Sequence, residues 1–352
     1  MSDSKREAFL RGLLAAAIAV GFSLAPRPGT SEESDDLDYP IFLTSMTHME
    51  GNASDNDSLA AFLANVHLLE AAMTLAEANG AILTIETEQP FARANVTWKR
   101  NFLQEILNRN HGVGTHCDVG YGDPSMSQRD YERELRVNKT LVDDLVGATH
   151  NTGCSGAGGD VDWVRGLANA GFEYVDGVVG MHYMPTRPWS RPAGYTNEAI
   201  RFDGLYHAQV PVDLLDRTYL RTLADVRDLE HDAVGGQLVL SSGGLGKLQG
   251  IAEGGYVSQA FFASSSSPAG SSKLVLDVDD VDALVELIYW IDENRDRSRI
   301  SKISIMSHAT DWRDENETEM TYFLEEMEAL QEDQVIRWAT EKEVVDIYLA
   351  LP

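Results

Sequence analysis

Residues 40–51 read PIFLTSMTHMEG, and residues 111–118 read HGVGTHCD. Each stretch ends what the pattern predicts to be a buried strand, and each carries two side chains that bind metals or move protons. These are His48 and Glu50 in the first stretch, and His116 and Asp118 in the second. Because side chains alternate along a strand, residues two apart point the same way. Each stretch is therefore expected to direct an imidazole and a carboxylate to one side of a sheet.

The segments around these two stretches alternate between strand and helix patterns. Residues 57–79 have helical periodicity and end at Gly80, and the next strand-like run is AILTIET at 81–87. This alternation predicts parallel strands joined by helices, and a β/α barrel of this length folds as one domain. The regular pattern breaks at about 181–272, where prolines and the runs SSGGLGKLQG and ASSSSPAGSS occur. We predict an α/β fold, a distorted (β/α) barrel over residues 39–352 with that stretch as a long insertion.

The composition is strongly acidic. The chain has 352 residues, with 56 acidic against 28 basic residues and a formal charge of −28, and only 7 of the basic residues are lysine. Acid spread along the whole chain with little lysine predicts a surface hydrated in high salt, as in halophilic proteins; the alternative is an ordinary acidic protein. Either surface repels phosphates, so we expect no nucleic-acid partner.

The N-terminus has the pattern of a secretory signal. A charged start is followed by an apolar run from Leu13 to Leu24 and small residues before Pro26. We predict a signal peptide or signal anchor at 1–26, an acidic linker at 27–38, and an extracytoplasmic protein that is secreted or tethered to the membrane at the cell surface. In an exported chain Cys117 and Cys154 are expected to pair in a disulfide or to remain two buried free thiols.

Further reactive side chains lie at or near predicted strand ends. In a β/α barrel the carboxyl ends of the strands share one rim, so such side chains converge there. Imidazoles and carboxylates in this arrangement suit Zn²⁺ or another divalent ion. The additional candidates are Glu86, Glu88, His150, Asp176, His308 and Asp311.

Several motifs resemble the polysaccharide deacetylase superfamily, also called NodB-like or carbohydrate esterase family four. LTSMTHMEG at 43–51 takes the place of the family's LTFDDG motif. NHGVGTHCDVG at 110–120 is similar to GHEIGNHTxxH, and ISIMSHATD at 303–311 is similar to the late ILLHD strand. The resemblance covers about 40–180 and 273–352. It implies a distorted β/α barrel and a metal-dependent hydrolase.

The resemblance also assigns roles. It implies Glu50, His116 and Asp118 as ligands of a divalent metal, Zn²⁺ foremost, with His48 as a further ligand or as general base. His308 matches the histidine that protonates the leaving group, and His150 lies beside the motif that tunes the base. The sequence departs from the family at the base, which falls on Met49, and at the second metal histidine, which falls on Gly120.

The implied substrate is an N-acetylated sugar of a surface or secreted glycan. Aromatic side chains are the expected stacking platforms for sugar rings, and core packing is the alternative for each of them. The candidates are Trp163, Tyr183, Trp189, Tyr195 and Trp312.

The sequence therefore predicts an exported, metal-dependent deacetylase-like hydrolase. Two alternatives stay open. One is a barrel that binds glycans or takes part in envelope assembly without catalysis. The other is a glycoside hydrolase, which needs two carboxylates about 5 to 9.5 Å apart, with Glu88 and Asp176 as candidates.

Overall fold

The structure is a computed structural model that describes residues 38–49, 54–117, 119, 125–158, 160–176, 191–195, 213–252 and 275–351. All of these residues belong to one compact unit that begins at Asp38. The predicted signal at 1–26 and the linker up to residue 37 lie outside the described residues, and so do Glu50, Asp118, Tyr183 and Trp189.

Ten strands and nine α-helices are present in the described residues. The strands are β1 Ile41–Met49, β2 Thr84–Thr87, β3 Gly112–His116, β4 Gly153–Ser155, β5 Tyr174–Asp176, β6 Arg221–Leu223, β7 Leu238–Ser241, β8 Gly244–Lys247, β9 Ser301–His308 and β10 Ile336–Trp338. The helices are α1 Leu59–Ala78, α2 Gln89–Thr97, α3 Phe102–Asn108, α4 Gln128–Val146, α5 Trp163–Ala170, α6 Leu214–Thr218, α7 Val278–Asn294, α8 Glu317–Glu332 and α9 Glu341–Leu349; short 3-10 helices cover Ala309–Trp312 and Asp314–Asn316.

The parallel strands close into a ring with seven strand positions, one of which is shared by β7 and β8. β1 pairs with β2, and the order continues through β3, β4 and β5 to β7. β7 runs through Ser242 and Gly243 directly into β8, which pairs with β9, and β9 returns to β1. Gly243 has φ +100°, and a Cβ there would overlap the backbone carbonyl of Lys302, so this junction requires glycine. The predicted α/β barrel is confirmed.

The predicted insertion is too long. Residues 213–252 contribute β6, β7 and β8, and the β7–β8 segment closes the ring. Two helices, α2 and α3, connect β2 to β3, and residues 275–277 lead into α7 without forming a strand.

The strands place alternate residues inside the barrel and outside against the helices. The outer side of β1 carries Ile41, Leu43 and Met49, which pack in one core cluster with the buried face of α1, including Phe62 and Leu69. Burial of each such side chain contributes about 1.5–3 kcal/mol. The inner side of β1 carries Thr44 and His48, so these two polar side chains face the barrel interior.

A buried ion pair fills the amino-terminal half of the interior. Lys302 Nζ lies 2.5 Å from Glu341 Oε2, and both side chains have no exposed surface. The Glu341 carboxylate also accepts hydrogen bonds from Thr44, Ser304 and Ser241 at 2.5, 2.7 and 3.1 Å. This network satisfies the two charges inside the barrel. Paired and hydrogen-bonded charges therefore fill the amino-terminal half of the interior.

Candidate functional site

Five polar residues from five neighbouring strands meet inside the carboxyl end of the barrel. They are His48 on β1, Glu86 on β2, His116 on β3, Ser155 on β4 and Asp176 on β5, and each is at most 3% exposed. His48 is in register with Glu86, and His116 is in register with Ser155. Since residues in register on parallel strands face the same side, all five side chains point into the barrel.

The two histidines pack together, and one ring nitrogen of each lies close to a polar side chain. The ring centroids of His48 and His116 lie 4.3 Å apart, with an angle of 37° between the ring planes. Nε2 of His48 is 3.0 Å from Oε2 of Glu86, and Nδ1 of His116 is 2.8 Å from the Ser155 hydroxyl. The first and third strands therefore bring their imidazoles to one point.

The two buried carboxyl groups have pKa values shifted in opposite directions. Burial opposes ionisation of Glu86, but contacts with Asp176, His48 and Ser155 outweigh it and lower the pKa of Glu86 to about 2. Burial and the negative charge of Glu86 raise the pKa of Asp176 well above its ordinary value. The contacts are close but poorly aligned, since no carboxyl oxygen of either residue has a hydrogen bond of good geometry within the described residues. We infer a Glu86 carboxylate against a protonated Asp176.

Gly114 makes room for this carboxylate. It lies beside Glu86 in the β2–β3 register, and a Cβ at residue 114 would come 3.1 Å from Cγ of Glu86. An alanine at this position would require the Glu86 side chain to shift by a few tenths of an ångström. His116 also lines a cleft of about 460 Å³, together with Glu88, Gln89, Pro90, Val119, Met126, Glu134 and Asn138.

His308 lies at the same end of the barrel, as predicted. It is in register with His48 across β1 and β9, and its Nδ1 accepts a hydrogen bond of 3.2 Å from the backbone N–H of Thr310. That bond fixes the ring at the start of the 3-10 helix Ala309–Trp312. A role in protonating the leaving group stays a prediction.

The prediction for His150 is wrong in its position. His150 lies in an exposed turn that precedes β4, at the start of that strand and not at its carboxyl end. The start of a parallel strand lies at the opposite end of the barrel from its carboxyl end. His150 therefore does not belong to the candidate site.

The predicted aromatic platforms in the described residues are core residues. Trp163 is 0% exposed and Tyr195 is 8% exposed, and both belong to the cluster beside β4 and β5. Trp312 is 7% exposed and its indole N–H donates to Ser307 Oγ at 3.1 Å. None of the three presents an open ring face to a sugar, so the stacking role predicted for them is wrong.

The predicted metal ligands are only partly described. Of Glu50, His116 and Asp118, the structure describes His116 alone. Within the described ranges, no three His, Cys, Asp or Glu side chains form a group that fits a metal ion. His116 Nδ1 instead faces Ser155, and His48 Nε2 faces Glu86. Metal ligation stays a prediction.

Sequence reasoning missed the centre of the site. The sequence presents Glu86 and Asp176 only among several candidates at or near strand ends, Asp176 also as a glycosidase carboxylate, and it does not single out Ser155. The available signal was position: Glu86 and Asp176 are acids within short apolar strands. Asp176 is fully buried against Glu86, not open to the cleft that Glu88 lines, so the predicted Glu88–Asp176 glycosidase pair lacks structural support.

Comparison with known proteins identifies the fold. No protein-family model matches the sequence, and no curated protein matches it. Among solved structures, a candidate polysaccharide deacetylase from Mycobacterium smegmatis is similar with a TM-score of 0.53 at 12% identity, over 93% of this chain and 96% of that chain. The chain has the polysaccharide deacetylase fold.

Two further structures share this deacetylase fold. An allantoinase, PuuE, has a TM-score of 0.53 at 11% identity, over 91% of this chain and 98% of that chain. A protein described as a probable polysaccharide deacetylase from Pseudomonas aeruginosa PAO1 has a TM-score of 0.52 at 10% identity, over 88% and 91%. The resemblance expected from the motifs is confirmed for the fold. At such low identity the chemistry has to come from the residues of this chain.

Proposed function

We propose that the protein is a hydrolase that removes acyl groups, N-acetyl groups foremost, from sugars of surface or secreted glycans. One observation carries this proposal: His48, Glu86, His116 and Asp176 are packed together, almost fully buried, at the carboxyl end of a deacetylase-fold barrel. Burying ionisable groups costs free energy, and such clusters in barrels concentrate where chemistry is performed.

The contact with Glu86 supports His48 as the residue that makes the first proton transfer. The ionised Glu86, 3.0 Å from Nε2, orients the ring and stabilises the imidazolium that forms when His48 takes a proton. Protonated Asp176 keeps the second carboxyl group neutral, so only one negative charge faces the ring. His308, fixed on the same rim, is placed to return a proton to the departing amine.

The test compares two histidine variants. We expect the wild type to release acetate from N-acetylated oligosaccharides at high salt, and His48→Ala to reduce the rate at least about 100-fold. His150→Ala is the matched control, because this exposed histidine lies at the other end of the barrel, and its rate should equal that of the wild type. Equal rates for His48→Ala and the wild type would refute the assignment.

The predicted metal has its own test. The resemblance implies a divalent ion held by Glu50, His116 and Asp118, which would polarise the acyl carbonyl when bound. Elemental analysis of the wild type beside His116→Ala decides this part of the proposal. Equal metal content in the two samples would remove His116 from the ligand set.

A glycan-binding barrel without catalysis has less support. Its predicted stacking residues Trp163, Tyr195 and Trp312 are buried in the core. A protein that retains glycans on an affinity column but releases no acetate would nevertheless favour it.

We also propose that the protein acts outside the cytoplasm. The signal-like residues 1–26 support export, and so does the disulfide between Cys117 and Cys154, since disulfides persist in oxidising compartments. Fractionation of cells that produce the full chain tests this. Recovery of the protein only from the cytoplasm would contradict it.

A further inference from the structure

A pocket of about 410 Å³ lies at the amino-terminal end of the barrel. It is bordered by Tyr39 and Pro40 before β1, by Ile336 and Arg337 in β10, and by the carboxyl ends of α7 and α8. β1 and β10 are parallel, and both begin at the end of the barrel opposite to the candidate site. Three arginines line this pocket, although the chain has 56 acidic against 28 basic residues. We propose that the pocket binds a carboxylate ligand of the size of a sugar acid.

Arg295 gives the pocket a buried donor that the described residues do not satisfy. Its side chain is 1% exposed, and Nε and Nη2 donate to Oδ1 of Asp292 at 3.1 and 2.9 Å. Nη1 is also buried, and within the described part of the chain it has no hydrogen-bond partner. A charged donor left buried and unsatisfied is costly, and such a group in a native structure indicates a bound water or ion. An oxygen of a ligand in this pocket would satisfy Nη1.

The acceptors beside this donor already serve other groups of the protein. Arg297 donates from Nη2 to Oδ2 of Asp292 at 2.6 Å and to the Asp292 carbonyl at 3.2 Å. Its Nη1 donates to Oδ1 of Asp38 at 3.3 Å. The side-chain oxygen of Gln331 accepts from the backbone N–H of Trp338 at 3.0 Å. The pocket is therefore better supplied with donors than with acceptors, which favours an oxyanion as ligand.

Arg337 supplies further donors at the surface of the pocket. Its side chain is 50% exposed, and its Cζ lies 5.4 Å from the centroid of the Phe42 ring. It donates from Nη2 to Glu343, and a guanidinium has five N–H donors, so N–H groups of Arg337 remain for a ligand. The planar guanidinium group pairs with a carboxylate through two parallel hydrogen bonds.

Charge and volume narrow the class of ligand. The three arginines pair with three carboxylates, so the pocket has no excess of positive charge for a doubly charged phosphate or sulfate. A carboxylate brings a single charge and still offers two acceptor oxygens. The volume lies in the range of sites for small organic molecules. Tyr39, Gln331 and Gln334 also line the pocket and can bond to the hydroxyl groups of a sugar acid.

The test titrates the full-length protein with sodium glucuronate in a calorimeter at constant sodium chloride. We expect one site per chain, and no binding of glucose, which has the same ring without the charge. Arg337→Gln should weaken binding at least about tenfold, and so should Arg295→Lys, which keeps the charge but lacks Nη1. Arg136→Gln is the matched control, because Arg136 is 55% exposed on α4 and does not line this pocket. Its affinity should equal that of the wild type.

A second set of ligands identifies the class and the source. Sodium sulfate should bind more weakly than glucuronate. A glucuronate oligosaccharide that binds more tightly than the monomer indicates a glycan chain as the source, and equal affinity indicates the free sugar acid.

Four results would overturn the inference: no binding of glucuronate, equal binding of glucose, sulfate binding as tight as that of glucuronate, or a loss in Arg136→Gln as large as in Arg337→Gln. Unchanged affinity in Arg337→Gln would do the same, and this exposed variant decides the question even where Arg295→Lys fails to fold. The inference does not rest on the proposed function, because the pocket and the candidate site lie at opposite ends of the barrel. Acetate release should be the same in Arg337→Gln and in the wild type, and absence of release in both would contradict the proposed function alone.

Discussion

The disulfide between Cys117 and Cys154 gives the sharpest stability prediction. The two cysteines are 37 residues apart in sequence, and both are fully buried in the cluster beside β4. In the chain-entropy description, a cross-link that closes a loop of this length removes about 13 cal/mol/K from the unfolded chain, or about 4 kcal/mol at 25 °C. We therefore expect reduction to lower the free energy of unfolding by about 4 kcal/mol.

Denaturant unfolding at fixed salt measures this difference. The wild type is unfolded with and without a thiol reductant, and the double variant Cys117→Ala/Cys154→Ala is treated in the same way. The reductant should shift the midpoint of the wild type and leave the variant unchanged. Identical free energies for oxidised and reduced wild type would refute the reasoning. Free thiols found by alkylation in untreated protein would do so as well.

Three further changes test other parts of the barrel. Lys302→Met leaves the Glu341 carboxylate buried without its cation and should cost about 3–5 kcal/mol, whereas Lys302→Met/Glu341→Leu should cost less in thermal or denaturant unfolding. Gly114→Ala should lower acetate release at least tenfold, roughly the effect of 1.4 kcal/mol, with a smaller change in stability, because its Cβ crowds Glu86. Above about pH 4.5 the folded state retains a proton on Asp176 that the unfolded chain releases. This group therefore makes the free energy of unfolding fall as pH rises. The variant Asp176→Asn lacks the group and should flatten the curve of stability against pH. An unchanged slope in that variant would contradict the raised pKa.

The two opening strand ends were a sound guide to the fold. Their alternation predicts His48 and His116 on the inner sides of β1 and β3, and the order of strands and helices predicts the barrel. These signals are local, since they depend on periodicity and on the direction of side chains along one strand.

Other features depend on contacts that no local pattern contains. The run SSGGLGKLQG has weak strand propensity, yet residues 244–247 form β8 because β9 offers a pairing edge in the ring. The position of His150 is hard to predict because β4 has only three residues. An error of a few residues in where β4 begins decides whether His150 lies at the amino or the carboxyl end of the barrel. Trp163 is core because α5 lies with its first turn against the sheet.

The candidate site likewise depends on contacts between strands that are distant in the sequence. Glu86 and Asp176 read as two isolated acids in the sequence, and only the β2–β5 arrangement brings them together. Ser155 lies in a stretch that the sequence describes only as a short strand or a turn. Its register with His116 is a property of the sheet.

The central claim is that the buried cluster at the carboxyl end of the barrel performs hydrolysis, and Glu86 tests it most directly. The measurement is the rate of acetate release from N-acetylated oligosaccharides by the wild type and by Glu86→Gln, a variant of the same size without the charge that orients His48. We predict release by the wild type and a loss of at least about 100-fold in Glu86→Gln with the fold intact by circular dichroism. Equal rates in the two proteins, or no release by the wild type from any such substrate, would contradict the account.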